Sequence, residues 1–253
     1  MKKALLFLMM AAMLLSFAAC GNQNTDTQPD STDKEEQHTQ QTQPAQAQVS
    51  DAFSDTVEGC CFHIPRISLG DISVEEANSY IYEELNYLLQ EGVYHCVEDG
   101  YSLWYTGMVY EWVQTEKVLS VVVQVKSAAN DVTEYYVYNI SMESGELLSD
   151  LALYEELSIS ESAGKQILQE ACELYWDNFV AEHGDSQDPD FLQQLREQTL
   201  SEENLAQVKP YANKDGAVGY VVNIYSVAGA PYYEHRIERS GVLPEMQCKE
   251  HTK

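Results

Sequence analysis

Two short stretches of this sequence carry the residue types of a metal site. Cys60-Cys61-Phe62-His63 and His95-Cys96 offer thiols and imidazoles, which Zn²⁺ prefers as ligands in proteins. Neighbouring residues on a strand point to opposite faces, so Cys60 and Cys61 cannot easily share one ion. Neither a C-x-x-C nor an H-x-x-x-H spacing is present. We therefore predict no metal and no cofactor. A buried thiol, or a disulfide from one of the adjacent cysteines to Cys96, explains these residues better.

Residues 223–237, NIYSVAGAPYYEHRI, have the residue types of a recognition site. Gly229 can supply a positive φ and Pro231 can end strand pairing, so we predict a hairpin turn rather than a binding loop. One of the two adjacent tyrosines would then pack inward, and the other would face a partner beside the histidine. Tyrosine is frequent among the residues that dominate binding energy. The predicted ligand-binding residues are Tyr225, Tyr232, Tyr233 and His235.

We find no catalytic motif in the sequence. A nucleophile elbow, a phosphate-binding loop and a dinucleotide fingerprint are all absent. Residues 211–216 share part of a calcium-loop pattern, but they lack the alternating acids and the final glutamate, and a hairpin turn explains their Asp-Gly pair better. Trp104, Tyr110 and Trp112 would share one face of a strand. They would either stack on sugars or belong to the core, and we favour the core.

The sequence predicts an α+β fold in which antiparallel sheets pack against helices. A strand is expected over 56–64 and a helix from a capping box at Ser73 and Glu76 to Gly92. Three strands follow at 101–114, 118–126 and 132–141. Helices come next, one starting at a second capping box, Ser158 and Glu161, and one at Asp188-Pro189. Strands near 217–226 and 232–238 complete the prediction.

The N-terminus has the pattern of a bacterial lipoprotein signal. Lys2 and Lys3 precede an apolar run that ends in Phe17-Ala18-Ala19-Cys20, which resembles a lipobox. We expect cleavage after residue 19 and diacylation of Cys20, which would hold the protein on the outer face of the bacterial cell membrane. Five cysteines then remain, an odd number. The sequence leaves open which of them form disulfides: Cys60, Cys61, Cys96, Cys172 and Cys248.

Residues 20–50 are predicted to be a disordered tether. Residues 21–50 contain eight glutamines, five threonines and no aromatic residue. Such a segment buries too little apolar surface to offset its conformational entropy. We divide the rest into an N-terminal α+β unit at 51–127, a C-terminal α+β unit at 128–246 and a flexible tail at 247–253.

The charge of the chain excludes one class of partner. Without residues 1–50, which hold five acids and three lysines, 36 acidic and 11 basic side chains remain, a formal charge of −25. Repulsion from phosphate excludes nucleic acid. Basic proteins would be steered towards this surface, although solubility alone also explains the composition. A solute-binding receptor is disfavoured, because about 200 residues rarely form two α/β lobes with a hinge.

Several stretches taken together resemble a known family. They are 117–121 (KVLSV), 138–141 (YNIS), 144–147 (SGEL), 150–151 (DL) and 225–233. They are similar to the extracytoplasmic domain, of unknown function, shared by RsiV-type anti-sigma factors and PdaC-type peptidoglycan deacetylases. Residues 56–92 are similar to the small domain that usually precedes it. The resemblance implies the fold of that domain, which in RsiV-type proteins binds lysozyme.

These observations lead to one expected function. We expect a non-catalytic lipoprotein of the cell surface whose acidic, RsiV-like domain binds a basic, lysozyme-like protein or a cell-wall component. The anti-sigma segment and the deacetylase domain of the similar proteins are not expected here. Two alternatives are an accessory to a peptidoglycan-modifying enzyme and a structural lipoprotein of the envelope without a soluble ligand.

Overall fold

A computed structural model describes residues 46–129 and 132–248 of the chain. These residues lie in one compact unit, Gln43–Lys253, and its clusters of buried side chains all fall between residues 47 and 246. The predicted signal peptide, Cys20 and the tether as far as residue 45 lie outside the described residues. None of the described helices combines the length and the apolar composition that crossing a membrane requires.

The described residues alternate between strands and helices in the order of an α+β protein. The strands are β1 (Gln48–Val57), β2 (Cys60–Ser68), β3 (Tyr105–Gln114), β4 (Val118–Ser127), β5 (Thr133–Ser141), β6 (Lys209–Ala212), β7 (Val218–Tyr225), β8 (Tyr232–Glu238) and β9 (Gly241–Val242). The helices are α1 (Glu75–Leu89), a π-helical turn (Gln90–Tyr94), α2 (His95–Asp99), α3 (Asp150–Glu156), α4 (Glu161–His183), a 3₁₀ turn (Gly184–Ser186), α5 (Pro189–Thr199) and α6 (Glu202–Leu205).

The strands form two sheets, which confirms the predicted α+β class with antiparallel sheets and packed helices. The five-stranded sheet has the order β1-β2-β3-β4-β5, and the four-stranded sheet has the order β6-β7-β8-β9. Neighbouring strands are antiparallel except β2 and β3, which are parallel and meet at Phe62 and Met108. Helix α1 lies between β2 and β3 in the chain, as the crossover that a parallel pair requires.

The two faces of β4 contact different layers. Val121 belongs to a buried cluster with Ile81 and Leu85 of α1. Val122, on the opposite face by alternation, belongs to a cluster with Tyr211 of β6. Burial on both faces explains why β4 is almost continuously apolar.

Helices cover the other face of the four-stranded sheet. Val222 and Ile224 of β7 pack in one cluster with Leu168 and Trp176 of α4 and with Leu192 of α5. The described residues therefore form four layers, in the order helix, sheet, sheet, helix.

Two of the three predicted helix starts are wrong. Val74 is the N-cap of α1 and no side chain caps it, so the predicted capping box at Ser73 does not form. Helix α4 is capped by Ser160, whose hydroxyl accepts from the backbone N–H of Ala163; Ser158, the predicted cap, has a positive φ. The start at Asp188 is confirmed, because its carboxylate accepts from two backbone N–H groups of α5.

The predicted segment limits also differ from the structure. Strand β1 begins at Gln48, and Ala47 is buried in the first core cluster, so the fold starts inside the predicted tether. The predicted boundary between residues 127 and 128 falls between β4 and β5, which are paired neighbours in one sheet. The first helical segment does not end near Gly92 but continues through the π-helical turn and α2 to Gly100, whose φ is +73°.

One disulfide joins the two ends of the described chain. Cys61 of β2 is bonded to Cys248, 187 residues later. Of the two explanations offered for these cysteines, the buried thiol holds for Cys96, which is free and buried, and the bridge to Cys96 does not form. The first residues of the predicted flexible tail are thereby tied to the five-stranded sheet, and residues 249–253 lie outside the described residues.

Candidate functional site

Residues 226–231 connect two antiparallel strands, which confirms the predicted hairpin. Tyr225 of β7 pairs with Tyr232 of β8, and their ring centroids are 5.9 Å apart. Gly229 has a φ of +85°, in the left-handed region that favours glycine. The Tyr233 hydroxyl accepts from the backbone N–H of Ala230 at 3.2 Å. Two of the three tyrosines therefore serve the turn and its strands.

His235 does not share a surface with the exposed tyrosine of this hairpin. Tyr232 is the tyrosine that remains 43% exposed. His235 lies three residues further along β8, so alternation puts it on the opposite face. There its ring is 5.8 Å from Tyr175 of α4, and burial lowers the pKa of its imidazole. The structure therefore does not bring the exposed tyrosine and His235 together on one surface, and Tyr232 is the exposed ring of this hairpin.

A larger group of aromatic side chains lies beside α1, on the edge of the five-stranded sheet. We call it the tyrosine face. It consists of Tyr80, Tyr87, Trp104, Tyr105, Tyr136 and Tyr138. Tyr80 and Tyr87 come from α1, Tyr105 is the first residue of β3 and Trp104 precedes it, and the last two come from β5. The sequence prediction missed this group, because its members lie on three elements that are far apart in the chain.

The inner members of the tyrosine face are fixed by carboxylates. The Tyr138 hydroxyl donates to Glu84 of α1 at 2.8 Å, and its ring packs edge-on against Tyr80 at 6.4 Å between centroids. The Tyr136 hydroxyl donates to Glu134 at 3.3 Å. Both acids are thus held beside aromatic rings by hydrogen bonds rather than left free in solvent.

The outer members are open to solvent. Tyr87 is 65% exposed and Trp104 is 60% exposed. A Cβ atom on Gly92 would collide with the ring of Tyr105, so glycine here lets the π-helical turn approach the start of β3 closely. Trp104 precedes β3 and is not part of the core, contrary to expectation. Trp112, also expected in the core, is exposed by more than a third of its surface.

Burial and neighbouring acids raise the tyrosine pKa values on this surface. For Tyr138 burial is the larger cause, followed by its hydrogen bond to Glu84. For Tyr136 and Tyr105 burial is again the first cause, and the charge of Glu134 is the second. The tyrosine hydroxyls therefore stay neutral donors, and the negative charge of the surface resides on its carboxylates.

The chain around the tyrosine face contains no lysine or arginine for fifty residues. Residues 67–116 hold ten carboxylates and nine of the tyrosines and tryptophans. A count of residue types along the sequence would have detected this enrichment in acids and aromatic residues, together with the lack of Lys and Arg, without any structure. Lys209 approaches the face, with its Nζ 5.9 Å from the Tyr136 ring centroid, and it is already bonded to Glu234 at 2.6 Å.

Exposed aromatic rings beside carboxylates form a surface that binds cations. A lysine or arginine side chain gains from the negative face of an aromatic ring, and it gains further from a carboxylate nearby. A planar guanidinium can also stack on tyrosine or tryptophan. The tyrosine face therefore has the chemistry to bind a basic partner.

The chain matches no protein-family model and no curated protein. The resemblance to the RsiV-type extracytoplasmic domain therefore stays a prediction from the sequence.

Proposed function

We propose that this chain is a non-catalytic, lipid-anchored protein of the bacterial cell surface whose tyrosine face binds a basic protein. The observation that carries the proposal is the tyrosine face itself, where the exposed rings of Tyr87 and Trp104 and the fixed carboxylate of Glu84 belong to a fifty-residue stretch without Lys or Arg. The resemblance to a lysozyme-binding domain points to the same kind of partner.

The charge of the protein supports fast and selective encounter with such a partner. Complementary charge raises association rates and disfavours acidic competitors. Long-range attraction is screened by salt, however, and confers little specificity by itself. Specific binding must therefore come from short-range contacts with the exposed rings.

The arrangement of the tyrosine face supports such contacts. Glu84 and Glu134 are held by tyrosine hydroxyls on β5. Tyr87 and Trp104 are exposed rings that lose little side-chain entropy on binding, because each has only two rotatable side-chain bonds. A partner would find the charged groups already positioned, which reduces the cost of ordering them.

Calorimetric titration of residues 43–253 with a basic lysozyme tests this proposal. We expect saturable one-to-one binding at low salt that persists at about 1 M salt, where the screening length is about 3 Å. Binding that disappears at high salt would reduce the interaction to nonspecific charge attraction, and cell-wall glycans would then be the next ligands to test.

Two variants locate the binding surface. Tyr87→Ala combined with Trp104→Ala should weaken binding about 100-fold, since exposed aromatic anchors commonly contribute about 2 kcal/mol or more. Tyr232→Ala is the matched control, because it removes an exposed tyrosine from the other sheet, and it should leave affinity unchanged. Equal losses in both variants would contradict a site at the tyrosine face.

The proposed lipid anchor is tested separately in cells. Labelled palmitate should be incorporated into the wild-type protein but not into Cys20→Ser. Unchanged labelling of Cys20→Ser would refute the lipobox prediction without affecting the binding proposal.

A further inference from the structure

The two sulfurs of the disulfide and an imidazole meet where the C-terminal segment, residues 243–248, crosses the five-stranded sheet. Cys61 and His63 lie two residues apart on β2 and therefore on the same face. Cys248 reaches them from the C-terminal segment. One ligand atom from each of these three residues lies within 4.8 Å of the other two. Cys60, on the opposite face of β2, is not part of this group.

The imidazole of this cluster is oriented by a second set of residues. His63 Nδ1 is 3.3 Å from Asp51 Oδ2. The other oxygen of Asp51 accepts from the Tyr110 hydroxyl at 2.8 Å. A carboxylate that holds one ring nitrogen of a histidine is the usual outer partner of a metal-bound imidazole.

The C-terminal segment has anchors other than the disulfide. Met246 is buried between the two sheets, and the side chain of Gln124 bonds both its backbone N–H and its carbonyl. The Arg236 guanidinium donates to the carbonyl of Pro244 at 2.7 Å. Thr133 donates to Glu245 at 3.1 Å. These contacts would keep Cys248 close to Cys61 after the sulfur–sulfur bond is broken.

We propose that reduction of the Cys61–Cys248 disulfide turns this cluster into a Zn²⁺ site whose ligands are Cys61, His63 and Cys248. A dithiol reductant would supply two electrons and two protons, break the sulfur–sulfur bond and become a disulfide itself. Zn²⁺ then displaces the two thiol protons and binds two thiolates and the imidazole. Exchange with an oxidising disulfide would reverse the reduction and release the ion.

The donor set and its spacing fit zinc. Two thiolates and an imidazole are soft to borderline ligands that select Zn²⁺ over Ca²⁺ or Mg²⁺. With metal–ligand bonds of about 2.0–2.3 Å, the donors of a tetrahedral site lie about 3.3–3.8 Å apart. Once the sulfur–sulfur bond is broken, the two sulfurs must separate to that distance, while the imidazole donor already lies within 4.8 Å of both. Three protein ligands leave a fourth position open. His63 and its partner Asp51 also line a cleft of about 500 Å³.

Co²⁺, a spectroscopic substitute for Zn²⁺, provides the test. Residues 43–253 are reduced, freed of reductant under nitrogen and titrated with Co²⁺, and Zn²⁺ is then added. We expect one equivalent of Co²⁺ to give the near-ultraviolet band of a thiolate–cobalt bond, and Zn²⁺ to abolish it. Zn²⁺ should also raise the melting temperature of the reduced protein but not of the oxidised protein. Absence of the thiolate band from the folded, reduced protein would overturn the proposal.

Variants separate this site from the remaining thiols. Cys61→Ser, Cys248→Ser and His63→Gln should each abolish tight binding. Cys60→Ser is the matched control and should bind as the wild type does; loss of binding in this variant would also overturn the ligand assignment. Asp51→Asn should weaken binding by about 10- to 100-fold without removing the thiolate band, as expected for a positioning residue. Circular dichroism of each variant distinguishes loss of the site from loss of the fold.

Discussion

Tyr233 at the β7–β8 hairpin accepts a hydrogen bond from the backbone of its own turn, whereas Tyr87 and Trp104 of the tyrosine face expose more than half of their side chains. Both regions are rich in tyrosine and stand next to acidic residues. They differ in what surrounds the rings. At the hairpin, Tyr225 packs against Tyr232 and the second core cluster, whereas the tyrosine face brings together rings from α1, from β3 and the residue before it, and from β5.

This difference shows how sequence proximity can mislead a search for binding residues. Tyrosines that are close in sequence on a hairpin are also close in space to the turn, and its backbone groups compete for their hydroxyls. A recognition surface needs side chains that are not already hydrogen-bonded to, or packed against, their own turn or strand. The tyrosine face meets that condition because its outer members lie on an exposed stretch of α1 and on the segment before β3.

The comparison is tested most strongly by removing one ring from each region. Tyr225→Ala should lower the free energy of unfolding by about 2–3 kcal/mol, because the half-buried ring packs against the second core cluster and Tyr232. Tyr87→Ala should change it by less than about 0.5 kcal/mol, as is usual for an exposed residue. Urea unfolding followed by circular dichroism measures both. Equal destabilisation would contradict the division between a structural and a recognition region.

A second test concerns the backbone of the hairpin. Gly229→Ala should destabilise the protein by about 2 kcal/mol, because alanine is strained at a φ of +85° and its Cβ would collide with the Tyr233 hydroxyl. Gly216→Ala is the matched control at the β6–β7 turn. Its φ is +72° but no atom lies within 4 Å of the added Cβ, so only the backbone strain of about 1 kcal/mol is expected. Thermal unfolding of both variants would show whether the Tyr233 contact adds to the strain.

Local sequence patterns predicted most of the fold correctly. The α+β class, the three consecutive strands β3 to β5, the Asp188-Pro189 helix start and the β7–β8 hairpin all depend on residues near one another in the chain. The two predicted capping boxes did not form. Helix α1 follows Val74 without a side-chain cap, and α4 is capped by Ser160, which has Ala163 rather than a glutamate three residues later. A Ser-x-x-Glu pattern therefore indicated that a helix begins nearby but not which residue caps it.

Most of the candidate-site residues could not be predicted from the sequence. Glu84 and Tyr138 are brought together by the packing of α1 on the five-stranded sheet, and Cys61 and Cys248 by a crossing of the C-terminal segment. The periodicity of apolar residues within one helix or strand does not predict which distant residues will meet. Strand alternation separates Cys60 from Cys61, but the same alternation places Cys61 and His63 on one face of β2. The third member of that cluster, Cys248, lies 187 residues after Cys61, too far along the chain for a local pattern to connect them.

The smallest expected effect concerns the hydroxyl of Tyr138 and its dependence on pH. Its folded-state pKa is raised by burial and by Glu84, above the ordinary value of about 10. A group with a raised folded pKa contributes stability that is fully present below its unfolded pKa and is lost as the pH rises towards the folded value. Stability of the wild type should therefore fall above about pH 10, because the unfolded chain releases the proton and the folded chain retains it.

Tyr138→Phe isolates that contribution. At neutral pH it should cost about 1 kcal/mol, the net value of a hydrogen bond to Glu84 that is partly exposed to water. Above pH 10 the difference between variant and wild type should shrink, since phenylalanine has no proton to lose in either state. Urea unfolding at pH 7, 9 and about 10.5 measures the difference directly. A constant difference across this range would mean that the hydroxyl ionises at its ordinary pKa. In that case the Tyr138 hydroxyl would not hold the Glu84 carboxylate in place, and the proposal that the tyrosine face offers a pre-positioned carboxylate would lose that support.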